Sequence, residues 1–180
     1  MKKLSVLCIL ILFALLVSSV LGSCNSAKGT ADWHVEQGIQ LFEQGDYEAA
    51  MLEYDEAIRL DPEYARAYYD RGTIYGVLGQ HEQAIQEYSE AIRLDPEDAW
   101  AYGNRGGSYL ELGEIERGIE DLDESIRLSP KEAISYAIRA SAYTLLEMDS
   151  AAQQDIDRAV ELGFDRELLE EEIERLKLRH

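Results

Sequence analysis

The sequence predicts an all-α chain of four tandem helix-turn-helix repeats closed by a C-terminal helix, and three observations carry that prediction. Pro62, Pro96 and Pro130 stand 34 residues apart. Near-identical strings precede them: Glu56-Ala57-Ile58-Arg59-Leu60, Glu90-Ala91-Ile92-Arg93-Leu94 and Glu124-Ser125-Ile126-Arg127-Leu128. Gly45-Asp46, Gly79-Gln80 and Gly113-Glu114 break the apolar periodicity midway through each interval, as turns between paired helices do. The repeats occupy residues 31–64, 65–98, 99–132 and 133–166, with a capping segment at 167–180.

Residues 1–23 read as an address rather than as fold. Lys2 and Lys3 precede an apolar run from Leu4 to Val17, interrupted by Ser5 and followed by Ser18, Ser19 and Gly22. This is the three-part layout of an export signal. Its centre is shorter than the roughly 20 residues a spanning helix needs, which favours a cleaved signal over a permanent span. Leu21-Gly22-Ser23-Cys24 resembles a bacterial lipobox, which implies a lipidated thioether at Cys24 and a mature chain beginning there. An ordinary signal cut nearby is the alternative. Residues 24–30 then form a short polar linker. At about 3.5 Å per residue, its last six residues reach only about 20 Å, so the folded part would sit close to the bilayer. Asn25 follows the cysteine where inner-membrane lipoproteins of diderm cells carry aspartate, and the resemblance therefore implies the outer membrane if the cell has two.

Within the repeats, columns recur at the same interval. Tyr68, Tyr102 and Tyr136 form one, Arg71, Arg105 and Arg139 a second, and Tyr75, Tyr109 and Tyr143 a third. Gly38, Gly72 and Gly106 continue to Ala140, while Ala50 and Ala84 continue through Gly118 to Ala152. Small residues in both columns let the two helices of a hairpin approach closely. Asp61-Pro62, Asp95-Pro96 and Ser129-Pro130 predict N-caps with proline at the first helical position, Glu132 completing a capping box with Ser129. Arg59, Arg93 and Arg127 fall where a cation meets the negative end of a helix. The fourth repeat departs from the pattern, with Glu147-Met148 at its turn and Phe164 in place of the proline. Leu168, Leu169, Ile173, Leu176 and Leu178 give the last segment an apolar stripe, which either caps the stack or recruits a partner.

These columns resemble the tetratricopeptide repeat (TPR) family over residues 31–166, through Gly38, Leu41, Ala50, Tyr54, Ala57 and Pro62 in the first unit and their counterparts after it. The resemblance implies a right-handed superhelical solenoid and a scaffold for other proteins, whose peptides or helices lie in a groove lined by the first helix of each pair. Transferred to this chain, the groove residues are Val35, Ile39, Phe42, Tyr69, Thr73, Trp100, Gly103, Asn104, Gly107, Leu110, Ile134 and Ser141, with Ala137 and Thr144. One subclass grips chaperone carboxyl termini through a lysine-asparagine-arginine clamp. At the matching places only Asn104 fits, so that activity is not assigned.

Trp100 is the residue of most interest. Gly103 and Gly107 follow on its helical face, which either leaves a notch beside the indole or merely permits close approach of the next hairpin. The arginine column is read first as packing and second as a grip on partner carboxylates.

Composition narrows the function further. The chain has 36 acidic and 17 basic residues, a formal net charge of -19. That field opposes binding to nucleic acid or to an anionic bilayer surface. The cysteines, Cys8 and Cys24, precede the repeats, so no disulfide framework is expected. His34, His81 and His180 share no metal-binding spacing. No phosphate loop or nucleophile elbow occurs. The expectation is a lipid-anchored scaffold of the bacterial cell envelope that is not an enzyme, with no cofactor, metal or small-molecule substrate. The alternative is an accessory or regulatory subunit of an envelope enzyme or secretion complex.

Overall fold

The computed structural model describes residues 29–178. Among them run nine helices and no strand: α1 (Ala31–Glu43), α2 (Tyr47–Leu60), α3 (Ala65–Val77), α4 (His81–Leu94), α5 (Ala99–Glu111), α6 (Ile115–Leu128), α7 (Ala133–Leu145), α8 (Asp149–Glu161) and α9 (Arg166–Lys177). The chain divides into two compact units between Pro62 and Glu63. Cys24 and the export segment lie outside the described residues.

The first unit holds one hairpin, α1 against α2. Thr30 caps α1 by accepting from the Trp33 amide, and Asp46 caps α2 by accepting from that of Ala49. The small-residue column has its expected use. A Cβ added to Gly38 would come within 2.4 Å of Tyr54 Cε1, so the two helices close only over a bare backbone.

The second unit repeats this hairpin three times, as α3–α4, α5–α6 and α7–α8, with α4 against α5 and α6 against α7. At Gly106 a Cβ would meet Leu122 Cγ at 2.9 Å and the Gly118 carbonyl at 3.0 Å. Burial follows the repeat: Ala67, Ile74, Ala84, Tyr88 and Ala91, then Ala101 and Leu122, then Ala137, Ala140, Ile156 and Ala159. Helix α9 covers the last hairpin, sinking Leu169 and Ile173 against that final cluster together with Tyr136 and Phe164. Each such side chain contributes about 1.5–3 kcal/mol of burial. The predicted cap is therefore built on two positions of its stripe, while Leu168 and Leu178 remain exposed.

Two expectations about helix ends change. Asp61, Asp95 and Ser129 do not start helices; they end α2, α4 and α6 as C-caps in extended or intermediate backbone. Proline pushes the residue before it out of the helical region, so an Asp-Pro step stops the helix behind it. The next helix begins at Ala65, Ala99 or Ala133, and for α5 it is Asp98 that accepts from the Trp100 and Ala101 amides. Glu132, not Ser129, stands at the cap position of α7, and no side chain bonds there. The turn of the fourth hairpin keeps its shape despite lacking glycine. Glu147 takes φ 56, beside Gly79 at 71 and Gly113 at 76.

Candidate functional site: a groove along the first helices

In the second unit, α3, α5 and α7 lie side by side and wall an open cavity of about 820 Å³, whose far edge is α9. Five of the predicted groove residues meet there: Thr73, Asn104, Gly107, Leu110 and Ser141. Val77, Leu110, Ile115, Ile138, Leu145 and Leu176 give it an apolar lining.

A polar chain crosses the wall from α3 to α5. Asn104 Nδ2 donates to the Tyr69 hydroxyl at 3.1 Å, the Tyr88 hydroxyl donates to Thr73 Oγ1 at 3.5 Å, and that Oγ1 donates to the Tyr69 carbonyl. Burial pushes the Tyr88 phenol up to about 12 and raises that of Tyr69 as well, so both stay protonated. Beside them Asp70 is buried and accepts from Arg66 Nε at 2.7 Å. Desolvation outweighs the guanidinium and lifts the Asp70 carboxyl to about 6.

The other predicted positions are distributed differently. Gly103 is buried at the junction of hairpins, where an added Cβ would stand 3.2 Å from Ser125 Oγ and 3.4 Å from Ser135 Oγ. Those two hydroxyls bond each other, and Ser125 donates to the Ala99 carbonyl. Gly103 therefore serves packing and leaves no notch beside Trp100. Gly107 does face open space, with only Ile138 Cδ1 near, at 3.9 Å. Trp100 and Ile134 lie in the first turns of α5 and α7, 50% and 37% exposed, and do not line the cavity. Ala137 and Thr144 are buried. In the first unit Val35 is buried inside the hairpin, so it offers no surface, while Ile39 and Phe42 are half-buried and Phe42 packs on Tyr47.

The arginine column is structural. Arg71 binds Glu87, Arg105 binds Asp121, and Arg139 binds Asp155, each through two nitrogens onto the partner helix 16 residues on. Arg105 also donates to Ser89 and Arg139 to Asp123, tying each hairpin to the one before it. Their guanidinium groups lie over Tyr68, Tyr102 and Tyr136. A guanidinium held by two bonds and a ring is not available to a guest.

Sequence reasoning missed Ile138, Glu111 and the α9 residues Glu172, Arg175 and Leu176, all of which line the cavity. Ile138 was legible as the next member of the column through Asp70 and Asn104. The α9 residues were not placed at the groove, because their segment was read as a cap or, alternatively, as a separate stripe that recruits a partner. His81 also lines the cavity, and its Nδ1 is a buried nitrogen with no hydrogen-bond partner.

Comparison with known proteins agrees with this geometry. The family model described as TPR repeat matches residues 38–79 and 74–113, and the one described as tetratricopeptide repeat matches residues 101–132. Together they run from residue 38 to 132, just over half of the chain. No curated protein matches it. Among solved structures, a thermophilic TPR protein from Thermus thermophilus is similar at 21% identity and a TM-score of 0.70, over 83% of this chain and 82% of that one. MamA from Desulfovibrio magneticus is similar at 24% identity and 0.68, over 75% and 76%. The first TPR domain of Spaghetti (RPAP3), bound to the HSP90 peptide SRMEEVD, is similar at 23% identity and 0.63, over 65% and 93%. At these identities the likeness is one of fold.

Proposed function

Because the chain belongs to the tetratricopeptide repeat family, we propose that it is a scaffold whose groove along α3, α5 and α7 holds a peptide or helix of another protein, and that Cys24 tethers it by lipid to a bacterial membrane. One observation carries the first half: the cavity is open, lined by polar and apolar surface in about equal measure, and walled by the first helices of the stacked hairpins. Sites of this volume take a small ligand or a few side chains. The lining hydroxyls of Thr73, Ser108 and Ser141 donate to backbone carbonyls rather than to a base, and the reading is binding without catalysis. The peptide-bound RPAP3 domain supports it as a relative in fold. An acidic chaperone tail is not the guest, since the clamp positions other than Asn104 lack its cations.

The tether rests on Leu21-Gly22-Ser23-Cys24 after an apolar run. Acyl chains contribute about 0.8 kcal/mol per buried methylene, and several together hold a protein at a bilayer where one does not. A mature chain starting at Cys24 keeps 36 acidic residues against 15 basic ones, once Lys2 and Lys3 are gone. Such a chain needs an anchor that does not depend on attraction to anionic lipid. The outer membrane is the destination in a diderm cell.

Both halves are testable in cells. A photo-crosslinking residue at Leu110 should trap a partner protein that the same residue at Glu120 does not; trapping only at Glu120 would refute the groove. Fatty-acid labelling and membrane sedimentation should both be lost in Cys24→Ala. A variant that stays labelled and sediments as before would refute the lipid anchor.

A further inference from the structure

The helices that wall and edge the cavity have two chemically different ends, of which only the C-terminal one lines it. In the first turns of α5, α7 and α9, Trp100, Ile134 and Leu168 recur every 34 residues and are 50%, 37% and 64% exposed. In their last turns α3, α5 and α7 carry no basic residue, although α2, α4 and α6 carry Arg59, Arg93 and Arg127 there. Turn amides take most of the last carbonyls, as Gln80 N–H donates to Tyr75, Glu114 N–H to Tyr109 and Met148 N–H to Tyr143, so the negative character of these ends is that of the summed peptide dipoles, about half a charge. The last-turn cations thus sit on the second helices, and no basic side chain stands in the last turn of a groove helix. Those ends line the cavity through Gly76, Val77, Glu111 and Leu145. Glu111 is exposed and has no ion-pair partner among the described residues, whereas Arg175, the cavity's guanidinium, is bound to Glu172.

Resting on the groove reading above, we propose that the guest is a protein segment combining large apolar side chains with lysine or arginine. Its apolar groups lie over Trp100, Ile134 and Leu168, and its cations lie at the ends of α3, α5 and α7 beside Glu111. Eleven residues separate Trp100 from Glu111. At 1.5 Å per residue this spans about 16 Å along the axis of α5, so one short segment laid along that helix reaches both ends. The chain's net charge of -19 acts in the same direction at long range by speeding encounter with a cationic partner.

The test uses the full chain immobilised on a sensor and three end-blocked 12-residue peptides, in which leucine alternates with lysine, with glutamine or with glutamate. The lysine peptide is expected to bind at least tenfold tighter than the glutamine peptide, and the glutamate peptide not measurably. Trp100→Ala should weaken the lysine peptide about tenfold. Glu111→Gln should weaken it several-fold, and Glu120→Gln, on the exposed side of α6 outside the cavity, should leave it unchanged. Equal losses at Glu111 and Glu120 would overturn the proposal, because attraction would then be diffuse. Lysine and glutamine peptides that bind alike, both sensitive to Trp100→Ala, would overturn the cationic guest and leave the groove standing. If no peptide binds in a Trp100-dependent way, the proposal is overturned, while the groove reading is judged by the crosslink at Leu110.

Discussion

The first hairpin and the three that follow it share a backbone plan but fasten it differently. In α3–α4, α5–α6 and α7–α8 an arginine under a tyrosine reaches a carboxylate 16 residues on. In α1–α2 the tyrosine column holds His34 and the arginine column holds Gln37. The carboxylate remains, as Glu53, and His34 Nδ1 meets it at 2.6 Å. The column thus specifies where a pair must form and leaves its chemistry open. An arginine pair keeps its charge at any ordinary pH and makes two parallel bonds. An imidazole makes one, and carries charge only when protonated.

The largest expected difference lies in breaking these pairs. Arg105→Leu leaves Asp121 buried and unpaired and removes the bond to Ser89, so the second unit should lose about 3 kcal/mol. His34→Ala leaves Glu53 at 29% exposure, where water replaces the partner, and should cost the first unit less than about 1 kcal/mol. Denaturant unfolding followed by hydrogen exchange of each hairpin would compare them, and equal losses would remove the distinction.

A second contrast uses the column of Glu36, Asp70, Asn104 and Ile138. Glu36 is exposed, but Asp70 is buried and its carboxyl is raised from 3.8 to about 6. For a carboxyl raised on folding, the stabilising contribution is complete below the unfolded value and is lost as pH rises through the folded one. The second unit should therefore lose about 2 kcal/mol between pH 4 and pH 6 through this residue. Asp70→Asn should flatten that window, while Glu36→Gln leaves it unaltered. Urea midpoints across the pH range decide the matter, and an unflattened profile in Asp70→Asn would contradict the assignment.

The smallest effect belongs to the turns. Gly45 occupies the left-handed region without penalty, whereas Glu147 at φ 56 carries a side chain there. Glu147→Gly should raise the stability of the fourth hairpin by about 1 kcal/mol, and Gly45→Ala should lower that of the first by a similar amount. Thermal unfolding of the two variants should shift in opposite directions.

These contrasts also show what was legible in advance. The hairpins, their small-residue contacts and the cap were readable because periodic columns report packing, which is local and repeated. Helix starts were misplaced because an Asp-Pro step is chemically suited both to open a helix and to close one, and only the backbone decides. Five residues named from their columns line the cavity. Gly103 was misplaced, because a glycine one turn from Trp100 can serve either the open face or the neighbouring hairpin, and its contacts with Ser125 and Ser135 arise from another helix. The contribution of α9 was hidden because it depends on where a terminal helix docks, which no repeat encodes.

The central claim is that the first helices of the stacked hairpins form the surface that holds another protein. Hydrogen exchange of the full chain with and without its captured partner tests it most directly. Added protection along α3, α5 and α7, including the segments around Thr73, Asn104, Gly107 and Ser141, is the predicted result. Protection confined to α4, α6 and α8, with those segments unchanged, would contradict it.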